Sequence, residues 1–291
     1  MAAYELAIGD RTYSSWSLRG WLMFVKFDIP VTVRAAVMKT PAFTQLLADF
    51  GNARTVPAMR NGDVIVSDSL AMAETLAEQH PLMWPEDPVA RGVARSLVAE
   101  MHAGFSALRA ACPMNLRRCY DGFAISDAVR SDVARIDMMW QDARRRFGSR
   151  GPWLFGEYSL ADVFFAPVAM RFATYQLPVS DVASDYISAH MHDRDFRQWR
   201  ACGLAENHVR DYYDLDLPER AWPGPAALQA KAVRVGEAIN ANCPFSAQPV
   251  VSQGLADLNG TVIGFCNAFC RDKFVADPEA WPKAMAVLRT H

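Results

Sequence analysis

Thr55-Val56-Pro57-Ala58-Met59-Arg60-Asn61-Gly62-Asp63-Val64-Ile65-Val66-Ser67-Asp68-Ser69 is the stretch on which the fold turns. The segments around Val56–Met59 and Val64–Val66 are strand-like. Asn61-Gly62 between them is a hairpin signal, because both residue types tolerate the positive φ of a tight turn. Ser67-Asp68-Ser69 then opens an amphipathic helix, Leu70 to Glu78, with side-chain oxygens placed for its first free N–H groups. Upstream, Tyr4-Glu5-Leu6-Ala7-Ile8 alternates as a strand, and Leu18 to Lys26 has helical apolar spacing. Val31 to Val37 is β-branched and reads as a second strand. Thr40-Pro41 supplies an N-cap and a first-turn proline for a helix to about Phe50. The order is β-α-β-α-β-β-α, and its closing hairpin implies a mixed sheet.

Between the first strand and helix lies Tyr13-Ser14-Ser15-Trp16-Ser17-Leu18-Arg19. Ser17 is expected to cap the helix. Ser14 and Ser15 then sit ahead of it, near the positive end of the helix dipole. Hydroxyl donors and free N–H groups there suit an anion such as a thiolate.

The chain has 291 residues, enough for two domains and a small third. Thirty basic and 32 acidic residues give a net charge of −2, which argues against a general nucleic-acid or membrane-surface binder. The N-terminus lacks a basic and then apolar leader, and Asp162, Pro167 and Arg171 interrupt the most apolar run. A reducing, cytoplasmic setting is the expectation, since six cysteines in so long a chain make no disulfide scaffold.

The proline-rich run His80 to Pro88 reads as a linker. Helices are expected over about Val89–Arg109, Ser126–Phe147, Val179–His190 and Arg194–Cys202. Ser159 and Asp162 form a capping-box-like pair ahead of another, buried helix. On the first long helix, His102, Phe105, Ser106 and Arg109 share one face at helical spacing. The expected division is 1–80, 88–212, a linker and helix over 213–241, with the helix at Ala226–Ala241, and a tail module over 242–291.

The first eighty residues resemble the thioredoxin-like domain of the glutathione transferases, through Val56-Pro57 before the hairpin and Asp68-Ser69 at the last helix. Ser14-Ser15-Trp16-Ser17-Leu18-Arg19 is similar to the serine-type, zeta-class loop Ser-Ser-Cys-Ser-x-Arg, with Trp16 in place of the cysteine. Trp153 to Pro167 resembles the structural motif of the family's helical domain. The resemblance implies an α/β thioredoxin-like domain followed by an all-α one, with glutathione as co-substrate. Ser14 would activate the thiol, with Ser15 beside it. Val56, next to a cis Pro57, would meet the cysteinyl backbone. Ser69 would hold the γ-glutamyl carboxylate and Asp68 the α-amino group. His102, Phe105 and Arg109 would line the pocket of a small electrophile. A homodimer is what the family implies.

The chain continues beyond the usual family length. Cys243-Pro244-Phe245-Ser246, a hairpin at Asn259-Gly260, and Phe265-Cys266-Asn267-Ala268-Phe269-Cys270 follow. They resemble a YHS/TRASH-type α+β module, which implies zinc or another soft metal on Cys243, Cys266 and Cys270. Three functions stay open: a serine-type glutathione transferase, a non-catalytic glutathione-fold protein that handles metal through its tail, and a glutathione-dependent isomerase. Trp16 weighs against the last.

Overall fold

The computed structural model describes residues 4–206 and 208–289. The chain divides into two compact units, one running through Met191 and rejoined by Asp211–Pro223, the other comprising His192–Arg210 and Gly224 onward.

The first unit begins with β1 (Tyr4–Ile8), α1 (Ser15–Val25), β2 (Val31–Ala35), α2 (Pro41–Asp49), β3 (Ala58–Asn61), β4 (Val64–Ser67) and α3 (Ser69–Gln79). The strands form one mixed sheet, ordered β2-β1-β3-β4, with β1 parallel to β2 and antiparallel to β3. This is the expected thioredoxin-like arrangement. The Asn61-Gly62 turn closes the hairpin with Met59 opposite Val66. Thr40 caps α2 with Pro41 in its first turn, as read from sequence. Ala7, Leu46, Phe50, Ala53, Val56 and Ala58 form a buried cluster against one sheet face, and burying such side chains is the main stabilising term.

Next come α4 (Pro88–Ala103), α5 (Ser106–Ala111), α6 (Asp127–Phe147), α7 (Leu160–Tyr175) and α8 (Asp181–His192). The single helix expected over Val89–Arg109 is two. It breaks at Gly104, where a Cβ would lie 2.8 Å from the Glu100 carbonyl oxygen, and at Phe105, whose φ is +61°. Every residue of α7 is buried. The Asp162 carboxylate organises its start, accepting from the backbone N–H of Ser159 (2.8 Å) and Leu154 (3.1 Å) and from the Tyr186 hydroxyl (2.9 Å). The capping box is therefore structural, as expected. Asp211–Pro223 returns to this unit: Asp121 N–H donates to Pro218, Arg220 N–H to Cys119, and the Asn115 amide to Asp214 at 2.8 Å.

The second unit contains α9 (Arg194–Ala205), β5 (Ala230–Val233), β6 (Leu255–Leu258), β7 (Thr261–Gly264), α10 (Ala268–Ala276) and α11 (Pro282–Arg289). Its antiparallel sheet runs β5-β6-β7. The helix expected over Ala226–Ala241 does not form. Part of that segment is β5, paired with β6 so that Lys231 faces Asp257, and Gly236 at φ +140° follows it. Strand pairing outweighs the helix propensity of an alanine-rich run. The helix over Arg194–Ala205, assigned from sequence to the helical domain, packs on α10. The Arg197 guanidinium donates to both Asp277 oxygens at 2.7 and 2.8 Å, and the Gln198 amide to the Ala280 carbonyl at 2.7 Å.

Candidate functional site

Ser14, not Ser17, caps α1. Ser14 Oγ accepts the Ser17 N–H at 3.2 Å, and Ser17 is turned fully inward, its Oγ accepting the Gly9 N–H at 2.9 Å. The two hydroxyl oxygens are 2.8 Å apart. Each oxygen already accepts one backbone N–H, so either hydroxyl can donate across the pair. In the arrangement where Ser17 donates, Ser14 has two donors directed at its oxygen and its own O–H left to give. The chain Gly9 N–H to Ser17 to Ser14 polarises that last hydroxyl toward an anion. Ser15, the first helical residue, accepts from Arg171 Nη2 at 3.3 Å, which frees its proton in the same way.

Gly20, one turn on, allows α1 to lie directly against Pro57: a Cβ there would be 2.6 Å from Pro57 Cβ. That close approach sets the serine loop beside Val56, which is buried and joined to Pro57 by a cis peptide bond, as the resemblance implied. At the start of α3, Asp68 Oδ1 accepts from Leu70 N–H (2.8 Å) and Ala71 N–H (3.1 Å). Asp68 has φ +141°, a conformation that favours glycine and marks a specialised position. Ser69 is buried, and its Oγ has no hydrogen-bond partner. A free hydroxyl at the positive end of a helix dipole fits a carboxylate.

Asp68 Oδ2 lies 3.3 Å from His102 Nε2 at the end of α4, and the His102 ring meets Trp16 edge-on at 5.4 Å between centroids. Trp16 thus links the starts of α1 and α3 through His102. Burial holds His102 below its ordinary pKa; Asp68 opposes this, but Arg19 and Arg109 add to it. The break at Gly104 removes the common helical face read from sequence. Phe105 is buried at the bend, and Arg109 on α5 folds back so that Nη2 donates to the Met101 and His102 carbonyls, the latter at 3.0 Å. Arg109 still reaches the Trp16 ring, its guanidinium carbon 5.1 Å from the centroid.

Two arginines escaped the sequence reading. Arg19 is 1% exposed, with its guanidinium 4.5 Å from Trp16 and 5.0 Å from Phe164. Burial, then repulsion from Arg109 and Arg171, lowers its pKa well below the ordinary value, against Asp68. Arg171 is held by the Cys112 carbonyl at 2.8 Å and the Pro167 carbonyl at 3.2 Å. For Arg171 the available signal was a cation inside the most apolar run of the chain, since buried arginines are rare unless paired. Tyr213, from the returning segment, stacks on Tyr13 at 4.9 Å beside the same loop. A groove of about 1060 Å³ between α4, α6 and α8, lined by Leu97, Met138, Met139 and Val182, is separate from these residues.

In the second unit, the Cys243, Cys266 and Cys270 sulfurs all lie within 4.8 Å of one another. Cys266 lies between β7 and α10, and Cys270 lies in the first turn of α10, where Asn267 caps the helix through the Cys270 N–H at 2.8 Å. Ser246 Oγ donates to Cys266 Sγ at 3.1 Å, and Asn267 Nδ2 at 3.3 Å. Burial would raise the Cys243 pKa. The backbone N–H groups of Cys266, Phe245 and Ser246 and the Ser246 hydroxyl outweigh it and bring the thiol down to about 7. Burial pushes Cys270 up to about 12.

No protein-family model and no curated protein sequence matches the chain. Among solved structures it is similar to a glutathione transferase homologue from Burkholderia gl BGR1 with bound glutathione, at TM-score 0.53 and 20% identity over 70% of this chain and 100% of that one. It is similar also to glutathione transferase Omega 3C from Trametes versicolor, at TM-score 0.52 and 17% identity over 69% and 89% of the two chains. Leishmania TDR1, a trimeric glutathione transferase, matches at TM-score 0.54 and 15% identity over 70% and 46%. At these identities the likeness establishes the fold: the chain has the glutathione-transferase fold, a thioredoxin-like part followed by a helical one. Among the described residues no helix is long and apolar enough to cross a membrane.

Proposed function

We propose that the chain is a serine-type glutathione transferase. The observation that carries this is the paired Ser14 and Ser17 hydroxyls at the N-terminus of α1, which with Ser17 as donor leave the Ser14 proton to give. Ser14 donates it to the glutathione sulfur, and Ser15, backed by Arg171, adds a second donor. Ser69 Oγ, at the positive end of the α3 dipole, takes the γ-glutamyl carboxylate, and the Val56 backbone takes the cysteinyl unit. Asp68 answers the α-amino group while it holds His102. A thiol of pKa about 8.5 is mostly protonated at neutral pH, and donors aimed at the anion raise its reactive fraction. The thiol proton passes to solvent and the sulfur lone pair forms the S–C bond. The displaced electron pair leaves with the electrophile's leaving group, or enters a conjugated acceptor that is then protonated by solvent. Calorimetric titration with glutathione tests the reading. Ser69→Ala should weaken binding about tenfold, the cost of one hydrogen bond to a charged group; a wild-type chain that binds no glutathione refutes it.

A second reading, of the tail, rests on the three converging sulfurs. N–H and hydroxyl donors around Cys243 and Cys266 stabilise negative charge on sulfur, which fits thiolates that hold a soft, thiophilic metal. Cys243, Cys266 and Cys270 are the residues that would hold it, and such a metal would tie the α10 start to the 243–246 turn. The transferase reading also carries a cytoplasmic setting, from the cysteine usage, and a homodimer, from the family resemblance.

A further inference from the structure

The three tail cysteines differ in how they meet solvent. Cys243 and Cys270 belong to the buried core of the second unit, 2% and 8% exposed, whereas Cys266 is half-buried at its edge. Cys266 Sγ has two side-chain donors, the Ser246 hydroxyl at 3.1 Å and the Asn267 amide at 3.3 Å. The same Asn267 side chain accepts the Cys270 N–H at 2.8 Å, so one residue positions both cysteines at the α10 start. Cys266 Sγ lies 3.9 Å from Cys270 Sγ, with the Cys243 sulfur within 4.8 Å of both.

A cysteine kept only for packing gains little from such donors, because a neutral thiol is a weak acceptor. A hydroxyl and an amide directed at sulfur stabilise its anion, the form that reacts as a nucleophile. The buried cysteines of the first unit show the contrast. Cys112 and Cys119 are closed to solutes; the Cys119 thiol donates to the Ala173 carbonyl at 3.4 Å, and burial pushes Cys112 up to about 12. An accessible thiol with donors on its sulfur and a second thiol in reach is the arrangement that reversible oxidation requires.

We infer that the tail is a site of reversible thiol oxidation, in which Cys266 reacts with a hydroperoxide and Cys270 closes a disulfide with it. The Cys266 thiolate sulfur attacks the outer oxygen of the hydroperoxide. The O–O bond breaks, and its electron pair leaves on an alkoxide or hydroxide that solvent protonates. Cys266 then carries a sulfenic acid. The Cys270 sulfur displaces that oxygen: the S–S bond forms as the S–O bond breaks, and the departing hydroxide takes the Cys270 proton to leave as water. The present separation of 3.9 Å closes to about 2.05 Å. Two molecules of a small thiol, of which glutathione is one, restore both cysteines by exchange and leave as their own disulfide. The oxidation needs neither a bound metal nor the proposed transferase site. It consumes two of the three sulfurs offered to a metal above, so the bridge and a three-sulfur metal site exclude each other.

The test exposes the full-length protein, reduced and then treated with a chelator, to equimolar hydrogen peroxide. Remaining thiols are alkylated and the chain is digested for mass spectrometry. Chymotryptic cleavage after Phe245, Phe265 and Phe269 places the three cysteines on separate peptides. Wild type should show the Cys266–Cys270 bridge, formed at least about tenfold faster than any oxidation of Cys112 or Cys119, since thiolate character and exposure govern the rate. Excess glutathione should return all six free thiols. Cys266→Ser should form no bridge at the same exposure. Wild-type protein whose tail cysteines stay reduced, or oxidise no faster than Cys112 and Cys119, overturns the inference, whether or not the variant folds. A bridge from Cys243 to Cys266 overturns the role of Cys270. A bridge from Cys243 to Cys270, formed as fast in Cys266→Ser as in wild type, overturns that of Cys266.

Discussion

Removing the Ser14 hydroxyl has two separable consequences, because that oxygen both caps α1 and offers its proton outward. A hydrogen bond to an ionised group contributes about 1.5–3 kcal/mol, and one pKa unit corresponds to about 1.4 kcal/mol. The thiol of bound glutathione should therefore rise by about one to two pKa units in Ser14→Ala. At neutral pH the thiolate fraction, and turnover with it, falls about 10- to 100-fold once the pKa lies above the working pH. Loss of the cap costs about 1 kcal/mol of stability with alanine but only a few tenths with glycine. Ser14→Gly thus isolates the chemical effect: it should match Ser14→Ala in thiol pKa and turnover while melting closer to wild type. The assay is an ultraviolet titration of thiolate absorbance in the enzyme–glutathione complex, paired with thermal unfolding of both variants. A bound-thiol pKa within a few tenths of wild type in both variants refutes the relay and moves the donor role to Ser15.

In the second unit, Arg197→Ala leaves Asp277 without its bidentate partner, the two side chains being 17% and 11% exposed; thermal or urea unfolding should show a loss of about 3 kcal/mol, and no measurable loss would mean the pair contributes nothing. His102, held below its usual pKa by burial and by two arginines, adds stability above about pH 6.5 that is lost as pH falls through its folded value. Wild type should therefore lose more stability than His102→Gln between pH 7 and pH 5, measured by denaturant unfolding; the opposite sign would mean that pairing with Asp68 dominates. The full-length chain should take up one thiophilic ion per molecule, followed with cadmium by thiolate charge-transfer absorbance, and lose that uptake in Cys266→Ser; a wild-type chain that shows no such absorbance removes the metal reading.

What could be read along the chain was what local chemistry decides. Asn61-Gly62, Thr40-Pro41 and the Ser159–Asp162 pair each specify a turn or cap within four residues, and each stands where expected. The misassigned cap shows where that logic stops. Ser14, Ser15 and Ser17 are chemically equivalent as caps, and only the Gly9 N–H, which draws Ser17 inward, selects Ser14. Likewise Ala226–Ala241 has good helix formers, but a strand partner nearly thirty residues on takes part of it into a sheet. Cys266 and Cys270 are brought together by the local cap at the α10 start, whereas Cys243 joins them only across the folded unit.

The arginines extend this from structure to function. Arg19, Arg109 and Arg171 are 62 to 152 residues apart in pairs, differences of numbering that no local pattern joins. Each also has a bland explanation by itself: a polar helix position, a helix-end cation, a break in an apolar run. Their meaning lies in what they lack together. Two of them have idle buried donors, and the one acid acting on Arg19 already serves α3 and His102. A core that had only stability to satisfy gains nothing from that imbalance, because uncharged side chains of similar volume would fill the same space at lower cost. Positive charge held beside Ser15, one residue from the proposed sulfur donor, fits the anionic sulfur of the glutathione reading.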